Sequence, residues 1–198
     1  MGNKSIIHNK ILKPISLIGH MGCGKSTIGK ILSSKLDFDF YDTYKEIEKS
    51  LNSEISQIFL SEGEEIFRKH ELNIVSELLS KRNCIIATGG GAFIYKETRE
   101  KILGKSISLW LKTDLKILAK RVHKSKRRPL LNETNKLNKL KELAIERDPI
   151  YSKADIILET QNLNKGKIVD KIILKLKDFI NNEKEFNERN NNSKASKQ

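Results

Sequence analysis

The segment Gly19-His20-Met21-Gly22-Cys23-Gly24-Lys25-Ser26 satisfies every fixed position of the pattern G-x-x-x-x-G-K-[ST]. The pattern demands a setting. Its glycines let the backbone curl so that several N–H groups point at one anion, and the helix that follows adds its positive end. Both flanks are present here. Pro14 precedes Ile15-Ser16-Leu17-Ile18, a short apolar run that reads as a buried strand. From Lys25 to Leu36 the apolar residues Ile28, Ile31, Leu32 and Leu36 recur at helical spacing. A strand, a phosphate-type loop and a helix in this order commit the chain to an α/β fold.

The rest of the sequence continues the alternation. Phe38-Asp39-Phe40-Tyr41 reads as the second strand, ending at Asp42. Thr43 with Glu46 three residues on reads as a capping box opening the next helix. A short helix over 55–60 stops near Gly63, and a stronger one covers 64–81. Cys84–Ala87 reads as a third strand, running into Gly89-Gly90-Gly91. Helices are expected over 96–103, 114–122, 136–147 and 166–180, with strands over 107–111 and 154–158. The pattern predicts a parallel sheet with helices on both faces. Residues 1–13 read as an extension, 14–180 as the domain, and 181–198 as a polar, Asn-rich, disordered tail.

In such a loop Lys25 reaches the β- and γ-phosphates and the Ser26 hydroxyl ligates Mg²⁺. Gly22, Cys23, Gly24, Lys25, Ser26 and Thr27 form the expected nucleotide cradle, with ATP and Mg²⁺ as its ligands. Cys23 and Met21 read as filler, and His20 as a surface loop residue. Asp42, at a strand end, is the second expected Mg²⁺ contact. Its plainer role is to cap the helix beside Thr43.

Composition narrows the partners. The chain has 198 residues and a net charge of +13, which by itself invites nucleic acid. Aromatics are only 6%, so base-stacking platforms are scarce. Between Arg121 and Lys141 eight Lys/Arg stand against one acid, Glu133. That surplus suits a basic lid over about 121–135 and gives the charge a local target in ATP and an anionic substrate. The two cysteines exclude a disulfide scaffold. No apolar run approaches the about 20 residues of a membrane helix, and no signal peptide is evident, so the expected location is the cytoplasm. Neither nucleic acid nor membrane is expected as a partner, and a monomer is.

Six segments together resemble the shikimate kinase family. They are Ile18–Thr27, Phe40-Tyr41-Asp42-Thr43, Gly63-Glu64-Glu65-Ile66-Phe67-Arg68, Ala87-Thr88-Gly89-Gly90-Gly91-Ala92, Arg127-Arg128-Pro129-Leu130-Leu131 and Glu146-Arg147-Asp148-Pro149-Ile150-Tyr151. They fall in the family's order over roughly residues 14–175. The resemblance implies a three-layer α/β/α P-loop kinase fold of the nucleoside-monophosphate-kinase-like branch. Its parallel sheet has five strands in the order 2-3-1-4-5, and it carries a mobile lid. It implies transfer of the ATP γ-phosphoryl group to the 3-hydroxyl of shikimate, in the biosynthesis of aromatic amino acids. Lys25, Arg128 and Asp42 would be catalytic. Arg121 would lie on the adenine, and Arg128 on the phosphates. Asp42, Tyr44, Arg68, Gly89, Gly90, Gly91 and Arg147 would form the substrate site, with Arg68 and Arg147 as forks on the substrate carboxylate. Without the family pattern, Arg68 would read as half of an i,i+4 pair with Glu64.

The chain departs from that pattern at Tyr44, where the family usually carries a second Asp that binds the substrate hydroxyls and is its presumed base. A phenol with an ordinary pKa near about 10 is protonated at pH 7 and does not replace that carboxylate. Three readings follow: an active shikimate kinase with a substitution, which is preferred; a kinase for another small hydroxy acid, such as a sugar acid; or a weakened nucleotide-binding relative. Lys165 is a second departure, at a place where the family often has Pro against the adenine.

Overall fold

Ile15–Ile18 (β1) is buried at all four positions, because a central parallel strand is covered on both faces. The computed structural model describes residues 11–123, 136–161 and 163–195. In chain order β1 is followed by α1 (Lys25–Leu36), β2 (Asp39–Asp42), α2 (Thr43–Leu51), α3 (Ile55–Leu78), β3 (Cys84–Ala87) and α4 (Lys96–Lys105). Then come β4 (Ile107–Lys112), α5 (Leu115–His123), α6 (Lys136–Tyr151), β5 (Ile156–Glu159) and α7 (Lys165–Ala195). The five strands are parallel in the order β2-β3-β1-β4-β5, as the family resemblance implied.

Alternate strand residues feed the two layers, as the pleat requires. Ile15, Leu17, Ile85, Leu109 and Leu111 pack with Leu32 of α1 and Ile172 and Leu176 of α7. Ile18, Cys84, Ile86 and Trp110 pack on the other face with Val75, Phe93, Ile102 and Tyr151. A smaller group, Ile47, Ile58 and Phe67, fixes α2 against α3. Register brings three loops to one edge. Leu17 lies opposite Ala87, and Ala87 opposite Asp42, so the chain leaves β1, β3 and β2 side by side.

Three local expectations change. Asp42, not Thr43, is the N-cap of α2, accepting from Tyr44 N at 3.2 Å. The extended backbone of the strand end (φ −110°, ψ 114°) aims the Asp42 carboxylate back at the helix. The expected break at Gly63 is present within Ile55–Leu78: at φ 80° and ψ 174° Gly63 is non-helical, so two helical pieces meet there across a kink. α6 does not close at 147 but runs through Pro149 to Tyr151, since the ladder resumes with Ser152 N donating to Asp148 O at 2.9 Å. Finally, the segment from Asn181 is helical as far as Ala195 rather than disordered. It contains no Gly or Pro, and extending an existing helix is far cheaper than starting one. Among the described residues no helix is long and apolar enough to cross a membrane.

Candidate active site

The phosphate loop forms as its letters demand. Gly19, Gly22 and Gly24 take φ of 132°, 81° and 101°, values L side chains rarely adopt. Lys25 folds back over the loop, donating from Nζ to Gly19 O (2.7 Å) and His20 O (3.0 Å). Cys23 is buried, its Sγ 3.8 Å from Lys25 Nζ. Ser26 and Thr27 are exposed on the first turn of α1. Ser26 Oγ donates to Asp42 Oδ2 at 2.5 Å, so the two residues expected to share a cation stand together. A hydroxyl and one carboxylate are hard oxygen donors and suit Mg²⁺, which completes its shell with phosphate and water. Arg121, on α5, donates toward Gly22 O at 3.4 Å at the edge of the same loop. Arg128 and residues 124–135 of the expected lid lie outside the described residues.

The glycine turn after β3 forms the next wall. Gly89 N donates to the buried Thr43 Oγ1 at 3.0 Å, so this amide is engaged within the protein and Gly89 serves the wall by its small size. A methyl at Gly89 would lie 2.3 Å from Tyr44 Cε1 and 2.4 Å from Glu71 Oε1. At Gly90 it would lie 3.4 Å from Met21 N, so the turn rests on the phosphate loop. At Gly91 it would lie 2.5 Å from the Arg68 guanidinium. Gly89→Ala is therefore expected to shift Tyr44 and Glu71, to destabilise by about 1–3 kcal/mol and to lower turnover at least tenfold. Thermal unfolding and steady-state kinetics on one preparation check both effects, and an unperturbed variant would show that the wall yields.

Arg68 and Arg147 line one cavity of about 330 Å³ with Glu64, Gly91, Tyr95 and Glu146. Arg68 is held on three sides. Glu64 Oε1 accepts from Nη2 at 3.0 Å, Glu71 Oε2 accepts from Nη1 at 2.5 Å, and the Tyr95 ring lies 4.6 Å below the guanidinium carbon. The helix pair of its plainer reading thus exists, and the same side chain faces the cavity. Burial opposes the Arg68 charge, but Glu71 and Glu64 raise its pKa on balance. Burial pushes the Glu71 carboxyl up, with Arg68 pulling it back. Among the described residues Glu71 Oε1 has no hydrogen-bond partner, and it abuts the glycine turn. Tyr44 stands beside it, its ring edge-on to Phe67 at 5.7 Å.

Sequence reasoning passed over Glu71, Tyr95, His20 and Tyr151. Glu71 was detectable, three residues after Arg68 on one helix face. The others depend on long-range contacts. His20 is not on the surface; it is 4% exposed, with Nε2 2.6 Å from Asp148 Oδ1. Burial holds its imidazole below the ordinary value, and Asp148 opposes the shift. Tyr151 OH donates to Gly90 O. Lys165 is exposed at the start of α7.

The shikimate kinase family model matches residues 21–177. The shikimate kinase of Rhodopseudomonas palustris is 39% identical over 168 residues, covering 85% of this chain and 83% of that one. That of Zymomonas mobilis is 42% identical over 164 residues, covering 83% and 93%. The structure of Acinetobacter baumannii shikimate kinase in complex with shikimate superposes with a TM-score of 0.80 at 34% identity, covering 86% of this chain and 94% of that one.

Proposed function

The chain belongs to the shikimate kinase family, and on that premise we propose that it transfers the γ-phosphoryl group of ATP to the 3-hydroxyl of shikimate, with Mg²⁺, as a cytoplasmic monomer. It is an ATP-dependent phosphotransferase. The observation that carries the substrate reading is the convergence of Arg68 and Arg147 on one cavity beside the glycine turn that rests on the phosphate loop.

Each residue then has a task. The loop amides and Lys25 take the phosphates, Lys25 leaving the two carbonyls it holds in the free protein. Ser26 and Asp42 would hold Mg²⁺, which would supply positive charge to the phosphates. Arg68 and Arg147 grip the substrate carboxylate, and Gly89, Gly90 and Gly91 let the ring approach the backbone. Arg121 lies toward the adenine, and Arg128 adds positive charge over the transferring group. Phosphoryl transfer through a loose transition state is mostly positioning and electrostatics, so these groups supply most of what the step needs even with Tyr44 in place of a carboxylate.

Shikimate titration of ADP release, with and without Mg²⁺, tests the reading. Turnover is expected to saturate with shikimate and to vanish without the metal. Hydroxy acids of the sugar-acid type serve as competitors. Faster turnover with one of them would replace shikimate as the substrate.

A further inference from the structure

One turn of α6 touches both halves of the site. Arg147 Nη1 reaches Gly90 O at 3.5 Å, and Tyr151 OH donates to the same carbonyl. Asp148, between them, takes the His20 ring at 2.6 Å across 128 residues of sequence. Gly90 in turn faces the phosphate loop, since a methyl added to it would lie 3.4 Å from Met21 N. The contacts close a ring: loop to helix, helix to glycine turn, glycine turn back to loop.

His20 is tied to a residue of the phosphate loop on one side and to α6 on the other. Its main-chain carbonyl accepts from Lys25 Nζ at 3.0 Å. Its ring is packed edge-on against Tyr151 at 5.0 Å. A carboxylate oxygen only accepts, so the ring carries its proton on Nε2 and donates it to Asp148. A ring this buried would be costly without that bond. A phosphate that drew the Lys25 ammonium away would take a donor from the His20 carbonyl, while the ring would stay tied to α6.

We propose that the His20–Asp148 hydrogen bond is a positioning link that ties the phosphate loop to the Arg147 turn of α6, so that nucleotide on the loop and the carboxylated substrate at Arg147 strengthen each other's binding. The identity of the two ligands rests on the shikimate kinase reading; the link itself rests on the contacts above. Asp148 and His20 act through other groups and need not touch either ligand.

Calorimetric titration of the full-length protein tests this. Shikimate is titrated with and without saturating ADP and Mg²⁺, and ADP with and without shikimate. Wild type is expected to bind shikimate about tenfold tighter when ADP is present, and by reciprocity ADP about tenfold tighter with shikimate. Asp148→Ala and His20→Ala each reduce that ratio to about twofold or less, and the double variant loses no more, because the two residues act as one unit. Asp148→Asn keeps the ratio, since its amide oxygen still accepts from Nε2. A merely structural role would weaken both ligands without changing the ratio. An unchanged ratio in Asp148→Ala and His20→Ala overturns the link, and so does a wild type that binds both ligands without coupling, which needs no variant to fold. A wild type that binds ADP but not shikimate overturns the family reading of the substrate and the link with it.

Discussion

Lys25→Met is expected to lower shikimate turnover by about 10²–10³-fold, the usual cost of deleting one preorganised group that meets developing charge. The change keeps most of the length of the side chain and removes the ammonium. In the free protein that ammonium holds Gly19 O and His20 O, so the variant also tests whether the loop keeps its shape alone. The glycines at positive φ hold the curl independently, and the melting temperature without nucleotide should move little. ADP affinity should fall less than turnover, because the loop amides remain. A loss of turnover below tenfold would mean that Lys25 does not meet the transferring phosphoryl group.

Tyr44→Asp is expected to raise kcat/KM for shikimate by about 10²-fold, within the range a general base contributes. The ring now stands edge-on to Phe67 and against Gly89. Replacing it with a carboxylate places an acceptor at the glycine wall, where a substrate hydroxyl would arrive. Glu71 does not make this superfluous, because one of its oxygens is bound to Arg68 and the other is pressed against the turn. The variant should lose about 1–2 kcal/mol of stability, since it gives up an aromatic contact. Tyr44→Phe separates the two effects: it keeps the ring and should leave kcat within about twofold of wild type. Kinetics on the three proteins decide the matter, and a Tyr44→Asp enzyme no faster than wild type would remove position 44 from the reacting hydroxyl.

Much of the sheet was legible because its signals are local. Short, largely apolar runs are the strands β1, β3, β4 and β5, while β2 (Asp39–Asp42) is only half-buried, and the phosphate loop fixes its own flanks. Asp42 beside Ser26 followed from a strand end, whereas from its helix alone Arg68 read only as the partner of Glu64. What escaped was set by contacts distant in sequence. A histidine inside a glycine loop looks solvent-facing until α6 is laid across it, and α6 could not be followed past Pro149 from propensity alone. The capping box failed for a related reason. Thr43 was the better-looking cap, yet its hydroxyl serves Gly89, 46 residues on. The family resemblance supplied the site as a set, which no single arginine in so basic a chain could have done.

The paired state of Arg68 bears on which anions can enter. Its guanidinium already carries Glu64 and Glu71, the first 57% exposed and the second 1%. Three of its five N–H groups are used in this way, so a visiting carboxylate either takes the two that remain or displaces Glu64, which at the rim also accepts from Tyr95 OH at 2.8 Å. An anion entering the cavity meets Glu64 and Glu146 as well as the two arginines. Charge alone therefore counts for less at this mouth than the arginine pair suggests, and shape for more, a form of selectivity that lies in the competitors the enzyme carries with it.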